Sequence, residues 1–110
     1  MGSPSIGSVV LINFPFADLK SYKKRPAVVI AYSSLDTVIL CQITSRKLPN
    51  APSVTITEKD FIKGNLPVVS YIRPDKLFTI DAKLANQNKL GSIADDKVKV
   101  TKEVIRTLFA

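Results

Sequence analysis

Apolar residues fall in short runs that polar, glycine or proline positions interrupt, a pattern typical of short β-strands. It predicts strands at residues 9–14, 26–32, 38–45, 53–57, 68–73 and 77–80. The run at 26–32 is almost continuously apolar, which indicates a strand buried on both faces. Polar loops are predicted at 15–24 and 46–52, and Pro74–Asp75 is predicted to divide the strand at 68–73 from the strand at 77–80.

The strand predicted at 38–45 has two chemically distinct faces, because successive side chains along a strand alternate. One face carries Ile39, Cys41 and Ile43, and the other carries Leu40, Gln42 and Thr44. The first set is wholly apolar and is predicted to face the core. Thr44 is predicted on the other face with Gln42, where a hydroxyl can meet solvent or a ligand.

Helical signals lie toward the end of the chain. The shorter elements predicted there are one helical turn at 58–64 that ends at a glycine, and a turn with a short strand at 86–93. Asp95 or Asp96 is positioned to cap a final helix that runs through Leu108. The apolar stripe of that helix consists of Val98, Thr101, Ile105 and Leu108. Together the elements predict a mainly β domain, a small barrel with a C-terminal helix packed on it.

Composition narrows the class of protein. With 110 residues the chain suits a single domain at 7–110 after a short segment at 1–6, of which 1–3 are consistent with a cloning remnant. The net charge of +7 favours nucleic acid, an anionic membrane surface or an acidic protein as the partner. No apolar run has the length of a membrane span, and the N-terminus lacks the layout of a signal peptide. We therefore expect no membrane association.

The absence of histidine and the presence of only one cysteine exclude several kinds of catalytic site. The sequence has no histidine, which excludes a His-based triad, paired-histidine acid–base catalysis and ordinary His-ligated zinc. Its single cysteine, Cys41, can form neither an internal disulfide nor a thiolate metal cage. No cofactor is expected, and this use of cysteine predicts a cytoplasmic protein.

Three cations, Lys23, Lys24 and Arg25, stand directly before Pro26. The proline biases Arg25 toward extended backbone. Because Pro26 has no N–H to donate, it fits the first residue of a strand. A guanidinium held on stiff backbone beside two ammonium groups suits an anion, and phosphate matches its fork best.

Six segments then occur in the order typical of one protein family: GSVVLINF (7–14), KRPAVV (24–29), ITS (43–45), YIRPDKL (71–77), TID (79–81) and LGSI (90–93). On these segments the chain resembles the MazF/PemK family, the toxins of type II toxin–antitoxin pairs. It departs from the family pattern at Ser8, where an acidic residue is usual. It also departs at 18–24, which has three lysines and no glycine.

The resemblance implies an SH3-like barrel that forms a homodimer, with no cofactor. It implies a metal-independent endoribonuclease for single-stranded RNA, inhibited by a cognate antitoxin whose acidic tail occupies the RNA groove. The family's catalytic arginine and threonine correspond to Arg25 and Thr44. Asn13, Asp75 and Lys76 correspond to positions that line the groove.

Without metal or histidine, the 2′-hydroxyl of the RNA is expected to attack the adjacent phosphorus, giving a 2′,3′-cyclic phosphate and a 5′-hydroxyl. The residues expected to follow the phosphate backbone are Lys20, Lys23, Lys24, Arg46 and Lys47, with Ser45 beside them. Phe16 or Tyr22 is expected to stack a base or to cover the end of the barrel. Arg73 is expected to pair with Asp75 or Asp81 rather than to bind a ligand.

Two other functions fit the same residues. Toxins of this fold include non-catalytic proteins that bind and inhibit DNA gyrase, and a basic RNA-binding module without turnover would carry the same charge. The joint presence of Arg25 and Thr44 with a strongly positive chain favours the ribonuclease.

Overall fold

Regular structure covers most of the described residues, which are 4–15 and 22–110 of this computed structural model. The strands are β1 (Ser8–Pro15), β2 (Tyr22–Tyr32), β3 (Thr37–Thr44), β4 (Val54–Ile56), β5 (Phe61–Gly64), β6 (Ser70–Asp81) and β7 (Lys89–Ile93). The helices are α1 (Ala82–Gln87) and α2 (Asp95–Leu108), with a 3₁₀ turn at Glu58–Asp60. The strands pair antiparallel in the order β4-β6-β3-β2-β1-β7-β5.

The sheet curls because its two edge strands are joined by a short connection. β4 and β5 lie at opposite edges, and residues 57–60 alone link them. Seven strands in a flat sheet would hold the edges about 29 Å apart. The five Cα–Cα steps from Ile56 to Phe61 span at most about 19 Å. The result is a curled antiparallel half-barrel with α2 packed on it, which confirms the predicted mainly β barrel with a C-terminal helix.

Both faces of the central strands are buried, each in its own cluster. The inner cluster draws on strands from both edges of the sheet and on α2; its members include Val9, Val28, Cys41, Ile43, Val54, Ile72, Ile93 and Val98. The outer cluster lies on the opposite face and consists of Val10, Ala27, Val29, Val38, Leu40, Ala82 and Ala85. Residues 27–30 are all buried, which confirms a strand with two covered faces.

The face of the sheet that carries the outer cluster is called the outer face below. The sequence pattern predicts the Cys41 side of β3 as core, and Cys41 and Ile43 are fully buried there. Leu40, on the outer face, is fully buried as well. The reason is α1, whose Ala82 and Ala85 pack against that face.

The sequence analysis does not predict α1, and residues 86–87, predicted as part of a turn, are its last two residues. Six residues are too few to form a stable helix alone. Packing of its two buried alanines on the outer face therefore holds it in place.

Gly64 is a strand residue and not the end of a helical turn, which corrects the prediction for 58–64. Only Glu58–Asp60 are helical, and β5 follows directly. Gly64 has a φ of +67°, in the left-handed region that favours glycine. A Cβ on Gly64 would lie 2.1 Å from the Leu90 carbonyl oxygen, and one on Gly91 would lie 2.3 Å from that of Lys63. The close crossing of β5 and β7 thus requires both glycines.

β6 is one strand where the sequence pattern predicts two. Its register with β3 passes from Ile43 opposite Ile72 to Cys41 opposite Leu77, so the four residues 73–76 lie opposite a single β3 residue and form a bulge. Pro74 is fully buried in this bulge. A proline is tolerated there because a bulged residue needs no ladder hydrogen bond. The predicted interruption is therefore real, but the strand resumes after it.

α2 has the predicted bounds. Its N-cap is Ala94, without a side-chain capping bond, so neither Asp95 nor Asp96 is the cap. Both carboxylates lie in the first turn, where they complement the helix dipole. Of the predicted stripe, Val98 and Thr101 are buried, Ile105 is half-buried and Leu108 is exposed.

α2 is also fastened to the connection that joins the edge strands. Lys97 Nζ donates to the carbonyl oxygen of Thr55 in β4 at 2.9 Å and lies 3.9 Å from Asp60 Oδ2. The N–H of Ala94 donates to the Asp60 carbonyl oxygen at 2.8 Å. These contacts give a carbonyl of a short edge strand a partner within the chain, which discourages edge-to-edge pairing with other chains.

Ser8, the departure from the family pattern, carries a fully buried hydroxyl with no hydrogen-bond partner among the described residues. An unsatisfied buried polar group costs about 1–3 kcal/mol. We therefore expect Ser8→Ala to raise the free energy of unfolding by about 1 kcal/mol, measured by urea denaturation. Ser70→Ala is the matched control, because the buried Ser70 hydroxyl donates to the Val68 carbonyl oxygen at 3.0 Å and its loss should lower stability. A less stable Ser8→Ala protein would contradict the prediction.

Candidate active site

Arg25 lies inside β2 and not at its start. The strand begins at Tyr22, because β1 pairs with it along its first seven residues, with Arg25 opposite Ile12. Pro26 is therefore an interior strand residue, which corrects the prediction that it comes first. Pairing of β2 with β3 is recorded only from Ala27 onward, so the proline removes no donor from that ladder.

The position of Arg25 relative to Thr44 follows from the register between β2 and β3. The ladder ends with Ala27 opposite Gln42, and the same register extended by two residues would set Arg25 opposite Thr44. Directly opposed residues of an antiparallel pair share a face, with Cβ atoms about 4.5–5.5 Å apart. That face is the outer face, since Ala27 belongs to the outer cluster and side chains alternate along each strand. Both side chains are half-buried, beyond the region that α1 covers.

The Thr44 hydroxyl is oriented by the loop that follows it. Thr44 Oγ1 accepts a hydrogen bond from the backbone N–H of Arg46 at 3.2 Å. A hydroxyl that accepts one bond still has its own hydrogen to donate. Ser45 and Arg46 are both exposed in this loop, next to the end of β3. Thr44 can therefore act as a hydrogen-bond donor toward a bound anion.

Asn13 and Lys24 lie opposite each other in β1 and β2 and are both exposed. Alternation along β2 directs Lys24 to the opposite face from Arg25. The two residues line a pocket of about 390 Å³ at the edge of β1 that β7 leaves unpaired; the other lining residues are Leu11, Ile12, Ile80, Leu84, Gln87 and Asn88. Alternation directs these two side chains away from the face of Arg25, although Ile12 and Ile80, which line the same pocket, lie on that face.

Phe16 and Lys20 lie outside the described residues, as does the side chain of Tyr22. Lys23 is exposed and, two residues from Arg25, shares its face of β2. Lys47 is exposed beyond Arg46.

The β6 bulge is held by an ion pair. Arg73 Nε donates to Asp75 Oδ1 at 2.9 Å and Arg73 Nη2 donates to Asp75 Oδ2 at 2.6 Å, which confirms the expected pairing of Arg73 with an aspartate. These hydrogen bonds lower the pKa of Asp75 below its ordinary value, and the charges of Arg73 and Lys76 add to the effect. Lys76 is exposed, and alternation from Phe78 would direct it to the outer face. Asp75 is already bound by Arg73.

The structure adds one residue that the sequence analysis did not select. Tyr71 of β6 lies directly opposite Thr44, and Thr55 of β4 lies opposite Tyr71. Thr55, Tyr71, Thr44, Arg25 and Ile12 therefore form a row of cross-strand neighbours on the outer face, called the active-site row below. The sequence feature that could have pointed to Tyr71 is its place as the first residue of the segment YIRPDKL. The alignment of Tyr71 with Thr44 depends on the bulge.

Cys41 lies behind the site, in the inner cluster. Burial raises the pKa of its thiol to about 12, and the nearby Asp75 carboxylate contributes. The thiol therefore stays protonated near neutral pH and is not a nucleophile.

A family model described as PemK-like, MazF-like toxin of type II toxin-antitoxin system matches residues 5–109. The chain belongs to this family. The match confirms the resemblance to MazF/PemK toxins and gives no support to the gyrase-binding alternative.

Solved structures of MazF proteins share the fold of this PemK/MazF-like toxin. MazF from Deinococcus radiodurans (Form-I) is 21% identical, with 99% of this chain and 98% of that one covered and a TM-score of 0.74. A Deinococcus radiodurans MazE-MazF structure (Form-II) is also 21% identical, covers 99% and 97%, and has a TM-score of 0.75. The Mycobacterium tuberculosis toxin MazF-mt6 is 17% identical, covers 91% and 95%, and has a TM-score of 0.64. A search of curated proteins gives no match.

Among the described residues of the toxin, no helix is both long enough and apolar enough to span a membrane.

The lowered pKa of Asp75 predicts a pH-dependent contribution to stability. A depressed carboxyl pKa stabilises the fold above the unfolded value of about 3.9, and this stabilisation is lost as pH falls through the folded pKa. Because Asp75 is about one-third exposed, we expect Arg73→Gln to cost no more than about 1 kcal/mol at pH 7. In urea denaturation from pH 7 to pH 2, the difference from wild type should vanish at the acid end. A difference that does not change with pH would mean that Arg73 stabilises the protein by packing instead.

Proposed function

We propose that the protein is a metal-independent endoribonuclease toxin that cleaves single-stranded RNA. What supports the proposal is the register of β2 and β3, which extended by two residues beyond Ala27 and Gln42 sets Arg25 opposite Thr44, in a chain of the PemK/MazF-like toxin family. A guanidinium and a hydroxyl at that spacing can grip one phosphate from two sides. The sequence has no histidine, so no imidazole can serve as the general base or general acid.

The reaction is an internal transfer on the RNA. The 2′-oxygen attacks the adjacent phosphorus, the bond from phosphorus to the 5′-oxygen breaks, and the 2′-proton is released while the 5′-oxygen gains one. The products are a 2′,3′-cyclic phosphate and a 5′-hydroxyl, with no net uptake of water. Arginine, with a pKa of about 12 or more, is a poor base near neutrality. Water or a phosphate oxygen therefore carries the proton.

Arg25 and Thr44 act on the transition state. As the phosphorus becomes pentavalent, its two non-bridging oxygens and the departing 5′-oxygen gain negative charge. The guanidinium fork bonds the two non-bridging oxygens, and the Thr44 hydroxyl donates to the third, the 5′-oxygen. Arg25 is half-buried, so part of the water that would screen this charge is excluded. One preorganised donor of this kind contributes about 3–4 kcal/mol.

RNA binding is assigned to groups around the row. Ser45 and Arg46 directly follow Thr44, Lys76 lies in the β6 bulge, and the positive net charge of the chain attracts the phosphate backbone. Asn13 and Lys24 line the pocket at the edge of β1 and would receive a more distant nucleotide. Phe16, Lys20 and Asp75 complete the predicted binding set.

We further propose that the protein acts in the cytoplasm as a homodimer under the control of an antitoxin. The Deinococcus radiodurans relative was solved as a MazE-MazF structure. An acidic, disordered antitoxin tail would be attracted by the charge of +7 and would compete with RNA for the same cations.

The chemistry predicts a strict need for the 2′-hydroxyl. Purified protein should cut a labelled single-stranded RNA, and a single 2′-deoxy substitution at the cut position should abolish cutting there, because the nucleophile is gone. EDTA should leave the rate unchanged. Cleavage of the deoxy substrate, or loss of activity with EDTA, would overturn the mechanism; binding without any product would indicate an RNA-binding module.

The assignment of Arg25 predicts the effect of losing its fork. Arg25→Lys keeps the charge but removes the bidentate geometry, so kcat should fall about 10²- to 10³-fold. Arg106→Lys is the matched control, because Arg106 is an exposed arginine of α2 that pairs with Glu103, and it should change kcat less than about threefold. Single-turnover cleavage rates separate the two. Equal effects of both substitutions would mean that the loss is not specific to the fork of Arg25.

A further inference from the structure

Tyr71 is the neighbour of Thr44 in the active-site row, on the side away from Arg25. The two residues are directly paired across β3 and β6, which puts their Cβ atoms about 5 Å apart on one face. Tyr71 is half-buried, so part of its ring is accessible. Within the described part of the chain, its phenol has no hydrogen-bond partner. No polar contact among the described residues therefore occupies the phenol, and part of the ring is open beside the predicted catalytic pair.

The bulge in β6 is what brings Tyr71 there. Below the bulge, Cys41 lies opposite Leu77; the same register continued to Thr44 would set Pro74 opposite it. The three extra residues shift the register so that Tyr71 takes that place instead. The Arg73–Asp75 ion pair and the fully buried Pro74 fix the shift. The position of the ring is thus well defined by the surrounding structure.

Other aromatic rings on the outer face already pack against each other. Phe14 and Phe78 meet edge to face with their ring centroids 4.7 Å apart. Both are half-buried. Their contact occupies a ring surface that a base would need, whereas no such ring partner is recorded for Tyr71 in the described residues.

We propose that Tyr71 is a base-stacking platform for the nucleotide next to the scissile phosphate, an inference that rests on the proposed ribonuclease function. With the phosphate held at Arg25 and Thr44, the base on a flanking ribose extends along the row toward β6. Proteins hold the unstacked bases of single strands by stacking them on aromatic rings. Such a platform senses the presence of a base more than its identity, because every base has a π-face.

Tyr71→Phe and Tyr71→Leu separate the ring from the phenol. The substrates are RNA oligonucleotides with one cleavable ribose, in which the base on either side of the cut is present or replaced by an abasic residue. For one abasic position we expect wild-type kcat/KM to fall about tenfold to a hundredfold. Tyr71→Phe should behave like wild type. Tyr71→Leu should show that same loss on the complete substrate and no further loss on the abasic one.

Tyr32→Leu is the matched control. Tyr32 is an exposed tyrosine at the far end of β2 whose phenol donates to the Pro4 carbonyl oxygen at 3.0 Å. Its substitution should leave kcat/KM unchanged on every substrate. Thermal unfolding of each variant shows whether a loss of activity reflects a loss of fold.

Three outcomes overturn the platform: equal losses in Tyr71→Phe and Tyr71→Leu, no effect of either abasic position on wild type, or additive effects of Tyr71→Leu and the abasic residue. Fluorescence anisotropy with a non-cleavable, fully 2′-deoxy oligonucleotide separates this inference from the activity. Binding of this oligonucleotide that Tyr71→Leu and the abasic residue weaken non-additively, together with no cleavage of the RNA substrates, would uphold the platform and refute the ribonuclease. No binding together with no cleavage of the RNA would refute both.

Discussion

Antiparallel pairing between β2 and β3 is the constraint on which the candidate site depends. This ladder sets Ala27 opposite Gln42, and its continuation sets Arg25 opposite Thr44. A shift of one residue would send one of the two side chains to the other face of the sheet. Burial on both sides prevents such a shift, because residues 27–30 fill two separate clusters at once. The core thereby sets the geometry of a polar site that lies outside it.

Coverage of the outer face is uneven, and this explains where the site lies. α1 packs its two alanines over one end of that face. At the other end the strands continue without the helix, and half-buried polar residues take the place of leucine and valine. A guanidinium there remains accessible to a ligand while its backbone belongs to a rigid sheet. Sites built on strands in this way are held more precisely than sites on loops.

The bulge in β6 is the second device that shapes the site. It inserts three residues opposite Gln42 and so changes which residue lies beside Thr44. An ion pair closes the bulge, and the proline at its apex has no N–H to leave unsatisfied. Bulges commonly redirect side chains next to functional sites. Here the bulge joins an aromatic ring to the row.

Local pattern alone determined much of this protein: the strands near β1 to β4, the final helix, the apolar side of β3 and the opposite placement of Thr44. Each follows from alternation or helical periodicity, which act over a few neighbouring residues. The ordered segments from GSVVLINF to LGSI also carried the family and the two predicted catalytic positions. Tertiary structure decided the rest. The early start of β2 comes from pairing with β1, α1 exists because the outer face needs a cover, and Gly64 serves a close crossing with Gly91. The alignment of Tyr71 with Thr44 depends on the number of residues in the β6 bulge. Pairing between neighbouring strands sets that number, and the pattern of side chains along one strand does not encode it.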